Sequence, residues 1–514
     1  MVSLNPELSN ISRAPDGVAY QIPNTAEVSA QFEEIQRAVA GRPVVVVQGL
    51  GFVGSAVAAA IADARDAAGA PRWCVIGVDL ATAGSWWKIA RLNEGRAPIG
   101  SPDAEFDRLV RRGVKEAHNL FATASDEAYA LAEVIVIDVH LDVIDRRVQE
   151  PTDIQLNLAG FEAAVRAVGR RMRADALVLV ETTVPIGACE KIVRPALDGE
   201  RRQRGISEPV QLAHAYERVM PGPRYIDSIR KFWRTFSASS ESTAVRTRRF
   251  LDTFIDTSTY PPTVLADMAS SELGKVLENS YRAANIAFIH EWTLLAERAG
   301  IDLWAVVDSI RVRKGTHDNL RYPGFGVGGY CLTKDSLLAQ WSATNLYGST
   351  ETLGVTLEAL RINHDMPLHT LGLLRALVGG SLAGCRVLVC GISYLPNVAD
   401  TRNSPTELFV DAALGEGANV VVHDPCLQEW SERPDTDMNS DLASALQECD
   451  AVVFAVPHTE YRQLAATSFP EPRLIVDANN VIDDTLAGQL FAAGSRLVGV
   501  GKGHWRKLGY HHKL

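Results

Sequence analysis

Short apolar runs alternate with amphipathic stretches over most of this chain. PVVVVQ at 43–48 precedes a glycine turn and an alanine-rich stretch, and similar runs recur at 73–80, 132–140 and 176–184. Apolar runs without polar alternation are typical of strands buried on both faces of a parallel sheet. Because helical stretches separate these runs, we predict an α/β fold in which helices cover a parallel sheet.

A long stretch with helical spacing divides the chain. Residues 265–300 carry apolar residues every three or four positions and no proline, which predicts one long helix. Strand-like runs then return in an order that echoes the first half. They are RVLVCGISY (386–394), NVVVHDP (419–425), DAVVFAVPH (450–458), RLIVDANN (473–480) and LVGVG (497–501). We therefore predict two Rossmann-like parallel-sheet domains joined by a long central helix.

Length, charge and cysteine content narrow the functional class. A chain of 514 residues suggests two or three domains, and 51 basic against 62 acidic residues give a net charge of −11 that argues against nucleic-acid binding. Seven scattered cysteines without a CxxC motif argue against disulfides and bound metal, and favour the cytoplasm. The polar start lacks a signal-peptide core, and no apolar run approaches the ~20 residues of a membrane span, so we expect no membrane partner.

A glycine motif follows the first apolar run. It reads Gly49-Leu50-Gly51-Phe52-Val53-Gly54, which is G-x-G-x-x-G between a strand and a helix. In that context the glycines permit a tight turn, the approach of a pyrophosphate and close packing of helix on strand. Asp79 closes the second strand, where a carboxylate binds an adenosine ribose and favours NAD over NADP. Gly49, Gly51, Phe52, Val53, Gly54 and Asp79 are thus the predicted cofactor-binding residues. The alternative is a tight turn without a ligand.

A second glycine-rich segment, GFGVGGYCLTKD at 324–335, ends in a cysteine. It follows no β-branched strand and contains no G-K-[ST], so it is not a phosphate loop of either common type. Glycines would let a ligand lie against bare backbone, beside the thiol of Cys331. A thiolate there can add to a carbonyl carbon, although most lone cysteines are simply buried small apolar residues.

Lys275 and Asn279 lie four residues apart in the predicted long helix and therefore share one face. A lysine and an amide side by side can hold an alkoxide or a water molecule. A solvated helix face is the commoner explanation of such a pair.

Six motifs in order resemble the nucleotide-sugar 6-dehydrogenases, the UDP-glucose/GDP-mannose dehydrogenase family. They are GLGFVG (49–54), ETTVPIG (181–187), YERVMPG (216–222), ELGKVLENSYRAANIAF (272–288), GFGVGGYCLTKD (324–335) and GISYLPNVADTRNSP (391–405). ERVMPG and ENSYRAANIAF are most similar to the branch that oxidises UDP-N-acetylmannosamine or UDP-N-acetylglucosamine. UDP-glucose enzymes tend to have a second glutamate where this chain has Pro221.

The resemblance implies a domain organisation and a reaction. The expected division is an N-terminal extension (1–42), an NAD-binding Rossmann domain (43–260), a central helical dimerisation domain with the cysteine loop (261–375) and a nucleotide-sugar-binding Rossmann-like domain (376–514). The implied reaction is a four-electron oxidation of the sugar C6 alcohol to a uronic acid, with NAD as cofactor. Such an enzyme would be a homodimer or larger homo-oligomer and would serve polysaccharide biosynthesis.

The resemblance also implies roles for individual residues. The catalytic set is Cys331, Lys275, Asn279, Asp335, Glu217 and Thr183. The thiol would form a thiohemiacetal and then a thioester. Lys275, Asn279 and Asp335 would hold a water that accepts the C6 hydroxyl proton, Lys275 and Asn279 would stabilise the oxyanion, and Glu217 would promote hydrolysis. Thr183 would bind that water or the cofactor. Substrate contacts are expected from Arg218, Gly326, Gly328, Gly329 and Arg402, with a surface ion pair to Asp400 as the alternative for Arg402.

Several positions depart from the family pattern. Leu395 replaces a common lysine, Tyr216 replaces a common proline, and Lys334 differs from the usual residue of the branch. Asp138-Val139-His140 replaces a P-T-P-like turn that touches NAD. These changes suggest an unusual sugar or nucleotide. Three alternatives to the predicted function stay open. They are a UDP-glucose 6-dehydrogenase, a single-hydride hydroxy-acid dehydrogenase and a non-catalytic protein that binds NAD or a nucleotide sugar.

Overall fold

The computed structural model describes residues 10–147, 150–220, 222–469 and 471–511. The first nine residues and Pro221 therefore lie outside the described residues. The chain forms two compact units. The first contains the chain up to Val276 together with Leu338–Glu351, and the second contains Leu277–Leu337 and the chain from Thr352 onward.

The first unit is built on an eight-stranded sheet. Its strands, after a hairpin of β1 (Ile11–Arg13) and β2 (Ala19–Gln21), are β3 (Val44–Gln48), β4 (Cys74–Val78), β5 (Leu120–Thr123), β6 (Val134–Ile137), β7 (Leu177–Val180), β8 (Gln211–Tyr216), β9 (Thr235–Ala238) and β10 (Thr263–Val264). Their order is β10-β9-β8-β7-β6-β3-β4-β5. All neighbours are parallel except β8 and β9, which the apolar pattern did not reveal.

Helices cover both faces of this sheet. They are α1 (Thr25–Val39), α2 (Phe52–Ala62), α3 (Trp86–Glu94), α4 (Ala104–Arg111), α5 (Leu158–Arg171), α6 (Arg194–Gln203), α7 (Tyr225–Arg230) and α8 (Glu241–Leu251). Successive residues of β3 point to opposite faces, so Val45 and Val47 enter one core and Val44 and Val46 enter the other. This explains why the strand shows no polar alternation.

The described part of the N-terminal segment belongs to this fold. The Asn24 side chain accepts a hydrogen bond from the Glu27 N–H, and the Glu27 carboxylate accepts one from the Asn24 N–H, so a capping box starts α1. Phe32 and Ile35 of α1 then pack in the same core as Val46. Residues 10–42 are thus an integral layer of the first unit.

The predicted long helix is present as α9 (Met268–Ala299), and it contains the boundary between the two units. Three further helices follow, α10 (Leu303–Arg311), α11 (Asp335–Asn345) and α12 (Gly354–Val378). In the part of the chain that the structure describes, none of the helices combines the length and apolar character needed to cross a membrane.

The second unit contains a six-stranded, wholly parallel sheet. Its strands are β11 (Arg386–Cys390), β12 (Asn419–His423), β13 (Asp437–Met438), β14 (Ala451–Phe454), β15 (Leu474–Asp477) and β16 (Arg496–Gly499), in the order β13-β12-β11-β14-β15-β16. The accompanying helices are α13 (Pro405–Gly415), α14 (Leu442–Glu448), α15 (Asp484–Ala492) and α16 (Trp505–His511). The prediction of two Rossmann-like parallel-sheet domains and a long helix is confirmed.

Candidate active site

The glycine turn of the first unit connects β3 to α2. Gly49 has φ +96°, and a Cβ there would collide with the carbonyl oxygen of Asp138. A Cβ on Gly54 would collide with the Gly49 carbonyl, so both glycines are required by the packing of the chain itself. A Cβ on Gly51 would meet nothing within 4 Å. The space above the second glycine is therefore open to a ligand, as the approach of a pyrophosphate requires.

Asp79 lies directly after β4 and holds this turn. Its Oδ2 accepts a hydrogen bond from the Leu50 N–H at 3.0 Å, and its Oδ1 accepts one from the Leu80 N–H at 2.8 Å. Gly51 is the N-cap of α2 and has no side chain to satisfy the first helical N–H groups. Those groups and the helix dipole favour an anion, so the residues present fit a phosphate-bearing cofactor such as NAD.

A group of charged side chains lies at the carboxyl ends of the neighbouring strands. The carboxylate of Glu181 and the guanidinium of Arg234 form an ion pair in which each side chain is only 2% exposed. Lys275 donates a hydrogen bond to the Glu217 carbonyl oxygen at 2.7 Å, and its Nζ lies 3.5 Å from Glu217 Oε1. Burial raises the pKa of Glu181 despite the opposing charge of Arg234.

Tyr216, where the family commonly has proline, lies against two cations. Its ring centre is 4.9 Å from the guanidinium carbon of Arg218 and 5.8 Å from Lys275 Nζ, within cation–π range. Arg218 also donates hydrogen bonds to the Trp233 carbonyl oxygen at 2.7 Å and to the Tyr216 hydroxyl at 3.1 Å. Thr183 is half-buried in the loop after β7. Tyr216 therefore orients two of the residues that the sequence predicted.

In the second unit, Cys331 lies just before α11. Of the seven cysteines it is the exposed one, and the others are buried or half-buried. Its carbonyl oxygen accepts hydrogen bonds from the Lys334 N–H at 3.2 Å and the Asp335 N–H at 3.0 Å. The sulfur therefore projects from a short turn that is tied to the start of a helix.

The glycines before the thiol pack closely against their own chain. A Cβ on Gly326 would lie 2.5 Å from Pro405 Cβ, and one on Gly328 would lie 2.6 Å from Tyr394 Cβ. Gly329 donates a hydrogen bond to the Arg402 carbonyl oxygen at 3.1 Å. The loop is thus glycine-rich because the segment around 394–405 lies against it. Substrate contact by these glycines stays a prediction.

Asn279 and Asp335, two members of the predicted catalytic set, contact each other directly. Asn279 Nδ2 donates a hydrogen bond to Asp335 Oδ2 at 2.6 Å. Lys334, which the sequence reasoning left without a role, places its Nζ 3.0 Å from Asp335 Oδ1 and 4.7 Å from the ring centre of Tyr330. Both members of this ion pair are at most 2% exposed. The adjacent lysine and aspartate of the motif were the signal for this buried pair.

Arg402 forms an ion pair with Asp400, which was the alternative to substrate binding. Its Nε and Nη2 donate hydrogen bonds to the two carboxylate oxygens of Asp400, at 2.9 and 2.6 Å. These hydrogen bonds raise the pKa of Arg402, and negative charge on Cys331 raises it further. Arg402 is therefore paired with Asp400, and contact with substrate stays a prediction.

The second sheet repeats the strand–turn–acid arrangement of the first. Asp424, directly after β12, accepts hydrogen bonds through Oδ2 from the N–H groups of Ile392 and Ser393 at 3.0 and 3.1 Å. His458 accepts one from the Asn397 N–H at 3.0 Å, which fixes the turn that carries Leu395. The Leu395 side chain is 37% exposed. This turn therefore presents an apolar side chain at the position where the family commonly has a lysine.

Sequence models of one family match three segments of the chain. The NAD binding domain of the UDP-glucose/GDP-mannose dehydrogenase family matches residues 43–233, its central domain matches 269–364, and its UDP binding domain matches 388–484. The chain belongs to the UDP-glucose/GDP-mannose dehydrogenase family. The resemblance seen in the six motifs is therefore confirmed, and NAD is the cofactor of this dehydrogenase.

Relatives extend the match over nearly the whole chain. A UDP-N-acetyl-D-mannosamine dehydrogenase of Pyrococcus horikoshii is 28% identical over 89% of this dehydrogenase and 99% of its own length. A crystal structure of an NDP-N-acetyl-D-galactosaminuronic acid dehydrogenase from Methanosarcina mazei is 25% identical, covers 93% of this chain and 99% of its own, and has a TM-score of 0.75. A UDP-glucose dehydrogenase structure from Pyrobaculum islandicum is 26% identical, with coverages of 86% and 95% and a TM-score of 0.73.

Proposed function

We propose that this dehydrogenase oxidises the C6 alcohol of a UDP-N-acetylhexosamine to the uronate through a covalent intermediate on Cys331. The observation that carries the proposal is the exposed thiol of Cys331 at the start of α11. The buried pair of Asn279 and Asp335 supports it, because Asp335 belongs to the same turn of the chain as the thiol.

The proposed reaction proceeds through two successive oxidations. Loss of a proton and a hydride converts the C6 alcohol to an aldehyde, and the Cys331 thiolate then adds to the carbonyl carbon to give a thiohemiacetal. Loss of a second hydride and of the hydroxyl proton gives a thioester, and water cleaves the carbon–sulfur bond to release the carboxylate and the thiol. NAD, when bound, would supply the hydride acceptor for each oxidation, so two equivalents would be consumed for each uronate.

The polar residues of the candidate site would bind the transferred protons and stabilise the negative charge that develops on the substrate oxygen. Lys275 and Asn279 each present a fixed donor, and fixed donors stabilise an oxyanion without reorganising during the reaction. Asp335 orients the Asn279 amide, and Lys334 balances the charge of that buried carboxylate. Glu217, held against Lys275, would orient the water that hydrolyses the thioester, and Thr183 would hold a water or the cofactor.

NADH stoichiometry separates this function from its main rival. With purified protein, excess NAD and a limiting UDP-N-acetylhexosamine, we expect two NADH per sugar consumed and a uronate identified by mass spectrometry. One NADH per sugar would instead favour a single-hydride dehydrogenase. A panel containing UDP-glucose, UDP-N-acetylmannosamine, UDP-N-acetylglucosamine and GDP-mannose tests the substrate class, and turnover of UDP-glucose alone would overturn the choice of sugar.

We also propose that the protein self-associates through α9. Exposed apolar side chains repeat along one side of this helix with helical spacing, which is typical of a protein interface. They are Leu277, Tyr281, Phe288, Trp292 and Leu295, each at least half exposed. A second copy of the chain is the occupant that the family resemblance implies.

Charged substitutions on that stripe test the association. The double variant F288E/W292E is expected to run as a monomer in sedimentation velocity, whereas wild type is expected as a dimer or larger assembly. Val245→Glu is the matched control, because Val245 is also exposed, at 48%, but lies on α8. An unchanged assembly in F288E/W292E would contradict the proposal.

A further inference from the structure

Asp138 lies directly after β6 and against the glycine turn. It follows β6, which pairs with β3 on the side opposite β4. The chain leaves β3 toward β4, so strand order reverses between β3 and β6, and ligands of open α/β sheets bind at such a point, outside the carboxyl ends of the strands. Asp138 is therefore placed by the topology beside the bound dinucleotide.

The carboxyl of Asp138 reaches the glycine turn itself. Its Oδ2 lies 2.9 Å from the position that a Cβ of Gly54 would take, and it accepts a hydrogen bond from the Gly54 N–H. Its carbonyl oxygen blocks the position that a Cβ of Gly49 would take. The turn that would receive a pyrophosphate is thus already in contact with one acidic side chain.

The charges around Asp138 leave it without a dedicated cation. The carboxyl groups of Glu181 and Glu217 lie in this region with that of Asp138. The two cations there are Arg234 and Lys275. Arg234 pairs with Glu181, and Lys275 pairs with Glu217. In residues 10–147, 150–220, 222–469 and 471–511, no ion pair includes Asp138. His214, on β8, is buried and neutral, because burial lowers its pKa to about 3.

These surroundings favour the protonated acid. Burial raises the pKa of Asp138 well above its usual value, the negative charges of Glu181 and Glu217 raise it further, and Arg234 and the Gly54 N–H oppose this shift. A neutral acid can donate a hydrogen bond to a phosphate oxygen. An ionised acid would set a negative charge beside the pyrophosphate, which carries its own charge throughout the neutral range.

We propose that Asp138 makes the affinity for the dinucleotide depend on pH. The protonated side chain allows the dinucleotide to bind at the glycine turn, whereas the ionised side chain repels its pyrophosphate. The inference concerns the cofactor and does not rest on the sugar or on Cys331. The sign follows from linkage: binding is strongest below the pKa of Asp138 and weakens as the pH rises through it.

The test measures the dissociation constant of NAD by isothermal titration calorimetry from pH 5.5 to 9.5, without a sugar present. For wild type we expect the constant to rise with pH, by up to about tenfold per unit above the pKa of Asp138. Asp138→Asn is isosteric and keeps a donor, so its dissociation constant should stay within about twofold over the same range.

Asp142→Asn is the matched control. Burial alone would raise the pKa of Asp142, but hydrogen bonds from His140 and the guanidinium of Arg146 lower it to about 2. Asp142 is therefore ionised throughout the titration, and its replacement should leave the wild-type slope unchanged. A flat wild-type profile, or the same slope in wild type and Asp138→Asn, would overturn the proposal. Catalytic failure of the protein would leave this binding experiment unaffected.

Discussion

Replacing Cys331 with serine is expected to reduce uronate formation by about three orders of magnitude or more, while NAD and the UDP-sugar still bind. A thiolate is available near neutral pH, whereas a serine hydroxyl needs a general base to become nucleophilic. Without the sulfur no thioester forms, so the second oxidation has no covalent substrate. Uronate production is followed by mass spectrometry, and binding by calorimetry.

Cys385→Ser is the matched control for this experiment. Cys385 is half-buried just before β11 and has no proposed part in the chemistry. Its replacement should leave uronate formation near the wild-type rate. Full acid production by Cys331→Ser would remove Cys331 as the nucleophile, even if the family membership and the NAD site stand.

Replacing Arg234 with methionine is expected to lower the free energy of unfolding of the first unit by about 3–5 kcal/mol. The change leaves the carboxylate of Glu181 buried without its partner, since both side chains are only 2% exposed. Burial already raises the pKa of Glu181, and loss of Arg234 would raise it further. A carboxyl pKa that is higher in the native state stabilises that state at low pH. The decrease in the free energy of unfolding should therefore be smallest near pH 4 and should grow as the pH rises.

The double variant E181Q/R234M separates the charge effect from packing. With no buried charge left, it should recover most of the stability that R234M loses, because the cost of breaking a buried pair lies mainly in the uncompensated ion. Denaturant unfolding at several pH values measures both variants. A double variant as unstable as R234M, with no pH dependence in either, would show that the arginine stabilises through packing alone.

The sequence predicted those features that local patterns encode. The apolar runs gave five strands of the second sheet and the main strands of the first, and proline-free helical spacing gave α9. It did not predict that β9 runs antiparallel to β8, because strand direction depends on the path of the connection rather than on residue type. It also left residues 10–42 as an extension, whereas Phe32 and Ile35 pack under the sheet.

The sequence predicted which residues belong to the candidate site, but it did not predict which of them contact each other. Lys334 was a departure in a motif, and only the fold shows that it balances Asp335 in a buried pair. Tyr216 appeared as an odd substitution, yet its ring lies against both Arg218 and Lys275. Such contacts join residues distant in sequence, so a single sequence without its fold cannot specify them.

The two strand–turn–acid arrangements differ at the helix that follows each turn. Gly51 offers no side chain to cap α2, whereas Ser404 accepts a hydrogen bond from the Thr406 N–H and Pro405 has no N–H to offer at the start of α13. The second helix therefore has fewer amides to present to a phosphate. The two helix starts therefore differ as places for an anion, because serine and proline stand at the start of α13 and a glycine stands at the start of α2.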